Sequence, residues 1–145
     1  MNAHITHPQS DQDILGCFPV ISILRPHIAF DQFVPQVRRQ QQQGYQLVAQ
    51  VIGSDEDKRV VSAAGFRICE FLAWGKVLYV DDLITLPDHR GHGHASALLD
   101  WLIEQARSQG CQALHLDSGY ARHDAHRLYL NKGLQLACHH FSITL

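Results

Sequence analysis

One stretch, Lys76 to Arg107, narrows the fold more than any other part of the chain. It opens with Val77-Leu78-Tyr79-Val80-Asp81-Asp82-Leu83-Ile84-Thr85-Leu86, rich in aliphatic and β-branched residues and closed by Pro87, which reads as a strand. It ends on a segment with apolar residues at Ala95, Leu98, Leu99, Leu102, Ile103 and Ala106. That spacing is the stripe of a helix packed on a sheet, with Gly110 placed to end it as a left-handed cap. Between strand and helix lies Arg90-Gly91-His92-Gly93-His94-Ala95-Ser96. Glycines let a backbone come close to a ligand. The first N–H groups of a helix have no internal partner and stand at the positive end of its dipole. The N–H groups of Gly91, His92, Gly93, His94, Ala95 and Ser96 therefore suit an anion such as phosphate. A tight strand-to-helix turn that merely needs glycine explains the same spacing.

Two phosphate-binding patterns fit poorly. A P-loop needs Lys-Ser/Thr after its last glycine, and here His94-Ala95 follow Gly93. The dinucleotide pattern G-x-G-x-x-G is met at Gly91 and Gly93, but Ser96 stands in third place. Asp117 could supply its acidic residue, yet too little chain remains for the further βαβ units of such a domain. A third pattern fits better. Arg90-x-x-Gly93-x-Ala95 resembles the [Q/R]-x-x-G-x-[G/A] signature of the GNAT acyl-CoA N-acetyltransferases. Tyr79-Val80-Asp81-Asp82-Leu83-Ile84-Thr85 resembles the strand of their small-amine and diamine members. Downstream, Ala125-His126-Arg127-Leu128-Tyr129-Leu130-Asn131-Lys132-Gly133-Leu134 resembles their A-x-x-[FL]-Y-x-x-x-G-[FL] segment. Two motifs in the right order and at the right separation are far more specific than either alone.

The rest of the chain is consistent with such a protein. Its 145 residues suit a single domain spanning 1–145, with 46% hydrophobic residues for a core. Net charge is −2, and no basic stretch points to nucleic acid. No apolar run reaches membrane-spanning length, and the polar start is unlike a signal peptide. Cys17, Cys69, Cys111 and Cys138 are scattered without a CxxC, as expected of a cytoplasmic chain free of disulfides. All four fall in apolar runs, which predicts buried structural thiols rather than a nucleophile. There are 11 histidines, including His89, His92 and His94 in the glycine loop, but their spacing does not predict a metal site. The sequence leaves the oligomeric state open, with a homodimer as one option.

Pattern and turn signals give the order β-α-α-β-β-β-α-β-α-β. They predict a short strand at His4–Pro8, then a helix capped by Ser10 or Asp11 and kinked or broken at Pro19. A second helix would be capped by Asp31 and stopped by Gly44. Tyr45–Ile52 and Arg59–Trp74 read as an antiparallel hairpin, with a bulge near Ala63-Ala64-Gly65. After the central unit come a strand at Ala113–Asp117, a helix at Asp124–Lys132 and a last strand at Leu134–Leu145. The apolar phase shifts along that last segment, which predicts a bend. The order agrees with the GNAT fold: one α/β (α+β) domain, a mixed sheet of about six to seven strands and about four helices.

The resemblance implies a function: transfer of an acetyl group from acetyl-CoA to a primary amine, small molecule or lysine, by direct attack. It assigns the pyrophosphate to the loop N–H groups with Arg90 beside them, and the pantetheine amides to Leu83, Ile84 and Thr85. It makes Tyr129 the acid that protonates the leaving thiolate. It places Asp81 where relatives hold the acceptor, and Arg122 where they often carry Asn. Strand alternation predicts Asp81 and Asp82 on opposite faces. Direct deprotonation by Asp81 is a poor role, because an Asp near 3.9 and an amine near 10.4 differ by roughly 6.5 units, about 9 kcal/mol. Asp81 then holds the ammonium or relays its proton through water. Arg25 and His27, between the first two helices, are implied to line the acceptor pocket. A CoA-binding module without turnover and a dinucleotide-binding enzyme are the alternatives.

Overall fold

Ser10 starts the first helix: its hydroxyl accepts from the Asp13 N–H at 3.0 Å. In the computed structural model, which describes residues 2–145, the apolar run that follows forms two helices. Helix α1 spans Asp11–Leu15 and α2 spans Phe18–Leu24. The break falls at Gly16-Cys17, and Pro19 takes the first turn of α2, where its missing N–H would have no helical partner. Helix α3, Phe30–Gln41, is capped at Ala29 rather than Asp31. Asp31 instead sits in its first turn, where a carboxylate favours the dipole.

The strands are β1 (His4–Thr6), β2 (Gln46–Ile52), β3 (Arg59–Phe71), β4 (Gly75–Thr85) and β5 (Ala113–Leu116). They lie in sequence order, with β1 to β4 antiparallel; β5, reached through helix α4 (His94–Ser108), makes the sheet mixed. The last helix, α5, spans His123–Asn131. Gly110 ends the α4 region with φ 72°, the left-handed conformation expected of it.

Strand alternation gives the sheet two apolar faces. Leu47 and Ala49 of β2 pack with Ile14, Cys17, Val20, Ile21, Phe33 and Val37 of α1 to α3. Gln50, one residue on, faces the other way and meets His94 at the start of α4. Leu98, Leu99 and Leu102 of α4 are fully buried, each stabilising by about 1.5–3 kcal/mol. Phe66 of β3 meets Trp101 of α4 edge-on, with ring centroids 5.8 Å apart.

Two departures from the sequence expectation matter. The described residues form five strands, not six or seven, and five α-helices, because the first helical run is split. The segment after Leu134 forms no strand, and Leu136, Phe141, Ile143 and Leu145 are exposed. Its apolar residues change phase between Cys138 and Phe141, so no single strand register buries all of them. Cα packing divides the chain into two compact units, one ending at His115 and one running from Leu116 to Leu145.

Candidate active site

The register of β3 against β4 contains the feature that shapes the site. Gly65 pairs with Asp82 and Phe66 with Val80, so Asp81 is an extra, unpaired residue in β4. The expected bulge is therefore present, but its extra residue lies across the ladder from Gly65. A bulge interrupts strand alternation. Asp81 and Asp82 consequently both line one cavity, together with Tyr79, and the expectation of opposite faces is overturned.

That cavity has a volume of about 380 Å³ and is walled by α2, α3 and β4. Arg25 and His27 line it beside Ile21, Phe33, Gln36 and Tyr45. Arg25 Nε donates to Asp82 Oδ1 at 2.8 Å, and its Nη2 donates to the Asp81 carbonyl at 2.9 Å. Tyr45 donates its hydroxyl to Asp82 Oδ2 at 2.8 Å. Arg67 grips Asp81 with both arms, Nε to Oδ1 at 3.1 Å and Nη2 to Oδ2 at 2.6 Å. The Asp81 carboxylate beside it pushes the Arg67 guanidinium still higher in pKa. Burial, then the Asp82 carboxylate, raises the Tyr45 phenol well above its usual value, so it stays a proton donor at neutral pH.

Three of these residues escape sequence reasoning. Tyr45 reads only as the start of a strand, and Arg67 only as one residue inside the next strand. Gly65 is legible as a bulge but not as a contact. A Cβ on Gly65 would stand 1.8 Å from Tyr45 Oη and 2.3 Å from its Cζ. Glycine there is what lets the tyrosine lie against the strand and reach Asp82.

The glycine loop has the geometry expected of an anion site. Gly91 and Gly93 hold φ of 79° and 82°, and Gly93 is the N-cap of α4. The N–H groups of residues 93–96 have no backbone acceptor among the described residues, whereas Ala97 N–H bonds the Gly93 carbonyl at 2.9 Å. A Cβ on either glycine would meet no atom within 4 Å, so the loop stands open. These are features that fit a pyrophosphate. Arg90 and His92 are exposed beside it. Gln50 Oε1, buried in β2, lies 2.9 Å from His94 Nδ1 and fixes the start of α4. Burial, then the neighbouring His89 and His92, lower the His94 pKa below 6.5. Among the described residues no group of His, Cys, Asp and Glu could hold a metal ion.

Leu83, Ile84 and Thr85 are buried at the end of β4. On one side they pair with Ala64, Ala63 and Ser62 of β3. Ser62 Oγ donates to the Ile84 carbonyl and lies 2.9 Å from Thr85 Oγ1. On the other side β5 offers four residues against the eleven of β4. Its entry is fixed near the beginning of β4, where Gln112 N–H bonds the Lys76 carbonyl at 2.8 Å.

Tyr129, in the second unit, is buried on α5. Burial raises its pKa, and the charge of Arg122, then its hydrogen bond, oppose that rise. Of the cysteines only Cys17 is fully buried, its thiol pushed up to about 12 by burial and Asp13. Cys138 is exposed, which corrects the expectation of four buried thiols. It lies in the segment that forms no strand, so the cover its apolar neighbours predicted is missing.

The chain belongs to the acetyltransferase (GNAT) family, whose model matches residues 14–134, and it is an acetyl-CoA-dependent acyltransferase. It is 27% identical to the uncharacterized N-acetyltransferase YhdJ of Bacillus subtilis (strain 168) over 130 residues, 89% of each chain. It is 38% identical to the aminoalkylphosphonate N-acetyltransferase of Salmonella typhimurium over 65 residues, 45% of this chain and 41% of that one. Its fold is similar to that of aminoglycoside N-acetyltransferase AAC(6')-Iy solved in complex with CoA. There the TM-score is 0.77 at 14% identity, covering 100% of this chain and 97% of the other. No described helix is long and apolar enough to cross a membrane.

Proposed function

We propose that this protein acetylates a primary amine held in the cavity beside Asp81, by direct attack on the thioester of acetyl-CoA. The observation that carries this reading is the bulge at Asp81, which turns two carboxylates into a partly apolar cavity, open to solvent, at the middle of β4. Acetyl-CoA supplies the activated acyl group. The loop N–H groups of Gly91 to Ser96, with Arg90, hold its pyrophosphate. Leu83, Ile84 and Thr85 offer backbone groups to its amide arm, which the shortness of β5 supports.

The amine reaches the thioester as a free base, its extra proton having passed to solvent. The C–N bond forms and the C–S bond breaks. Tyr129 donates its hydroxyl proton to the departing sulfur, and the proton shed by the new amide nitrogen passes to solvent, from which Tyr129 is reprotonated. This role is assigned from the family motif, and the raised pKa of Tyr129 is consistent with an acid that stays protonated until the step occurs. Asp81 and Asp82 are already ion-paired, so they hold the ammonium through their remaining lone pairs rather than as bare charges. Thermal shift with acetyl-CoA, CoA and NAD tests the cofactor. A screen of amines with release of free CoA tests the transfer. Stabilisation by CoA with no amine-dependent release would make the protein a CoA-binding module instead.

A further inference from the structure

Each carboxylate lining the acceptor cavity is already ion-paired, Asp82 with Arg25 on the cavity wall and Asp81 with Arg67, which does not line it. Asp81 and Asp82 bring two negative charges, and Arg25 and Arg67, each within 3 Å of one of them, bring two positive ones. A diamine or polyamine would call for a surplus of carboxylate, and none is left over. Arg25 itself is only partly committed. Its Nε and Nη2 are used within the protein, and Nη1 bonds no partner among the described residues. The guanidinium side chain keeps 40% of its surface accessible and lines the cavity with His27. Gln36 Nε2 donates to Gln40 Oε1 at 3.0 Å on the same wall.

From this geometry, and resting on the acetyl-transfer reading above, we propose that the acceptor is a compact zwitterion: an amine carrying a nearby acidic group. Its ammonium lies against Asp81 and Asp82, and its anion takes Nη1 of Arg25, with His27 at the rim. Compactness follows from the spacing, because Arg25 and Asp82 are in direct contact at 2.8 Å. The two poles of the acceptor must then stand only a few bonds apart. Tyr45 acts as a positioning residue, since it fixes the Asp82 carboxylate on which Arg25 rests.

The test compares kcat/KM for four acceptors of matched length: an aminoalkylphosphonate, an amino carboxylate, a plain alkylamine and a diamine. One additional charge-assisted hydrogen bond predicts that at least one acidic acceptor exceeds the plain amine by about 10- to 100-fold. The phosphonate and carboxylate arms tell the two anions apart. In Arg25→Gln the ratio of acidic to plain acceptor should collapse by about tenfold or more, and Arg25→Lys should retain part of it. Preference for the plain amine or the diamine in the wild-type protein overturns the proposal and leaves acetyl transfer standing. An unchanged ratio in folded Arg25→Gln overturns it as well. Failure to acetylate any of the four overturns this proposal together with the reading beneath it.

Discussion

Replacing Gly65 with Ala tests the site through its least obvious support. The new Cβ would stand 1.8 Å from Tyr45 Oη, 2.3 Å from Cζ and 2.5 Å from Cε1, so the ring must move. Overpacking of this kind costs about 1–3 kcal/mol. Moving the ring also breaks the hydrogen bond from Tyr45 to the Asp82 carboxylate, worth about 1.5–3 kcal/mol for a charged acceptor. Against this, Gly65 has no positive φ, so Ala fits the backbone and returns about 0.4–1 kcal/mol by restricting the unfolded chain. The expected net destabilisation is about 2–5 kcal/mol, a large share of the ~5–15 kcal/mol typical of a whole domain. Urea unfolding measures it, and a cycle with Tyr45→Ala isolates the cause. With the ring gone, Gly65→Ala should be neutral or stabilising by up to about 1 kcal/mol. Equal cost in both backgrounds, or no cost in the wild type, would refute the argument that Gly65 exists to seat Tyr45.

Other outcomes follow from the same geometry. Gly93→Val places a β-branched residue at φ 82° and should abolish acetyl-CoA binding in titration calorimetry, whereas Arg90→Ala should weaken it by about 1–3 kcal/mol. Tyr129→Phe should lower kcat with little change in acetyl-CoA affinity, as for an interaction used in the transition state. His94 has a folded pKa below its unfolded value of 6.5, so the unfolded chain binds more protons as pH falls through 6.5. Its contribution to stability is present above 6.5 and declines below it, and His94→Gln should flatten the fall in Tm between about pH 7 and pH 5.5. Among the thiols, Cys17 should resist alkylation in the folded protein at pH 8 while exposed Cys138 reacts quickly.

Much of the central unit was legible because its signals are local. The alternating and helical apolar spacings around Lys76 to Arg107, the glycines at 91, 93 and 110, and Pro19 each act within a few residues. The cavity was legible only in part, because its geometry depends on a register. Asp81 and Asp82 look like opposite faces until one residue is left unpaired across from Gly65, and a bulge of that kind is set by tertiary pairing. Tyr45 and Arg67 reach the carboxylates from 37 and 14 residues away in sequence, distances at which no spacing rule operates. The last segment shows the converse. Its residues favour a strand, but the shift in apolar phase gives no single register that the sheet could use.

The central claim is direct transfer of an acetyl group from acetyl-CoA to an amine. The most direct measurement follows a labelled acetyl group through a single turnover, with the masses of both protein and acceptor read over time. Direct attack predicts label in the amine as CoA is released, while the mass of the protein does not change at any point. A protein that accumulates one acetyl group before the amine does, or CoA release that leaves the amine unlabelled, would contradict it.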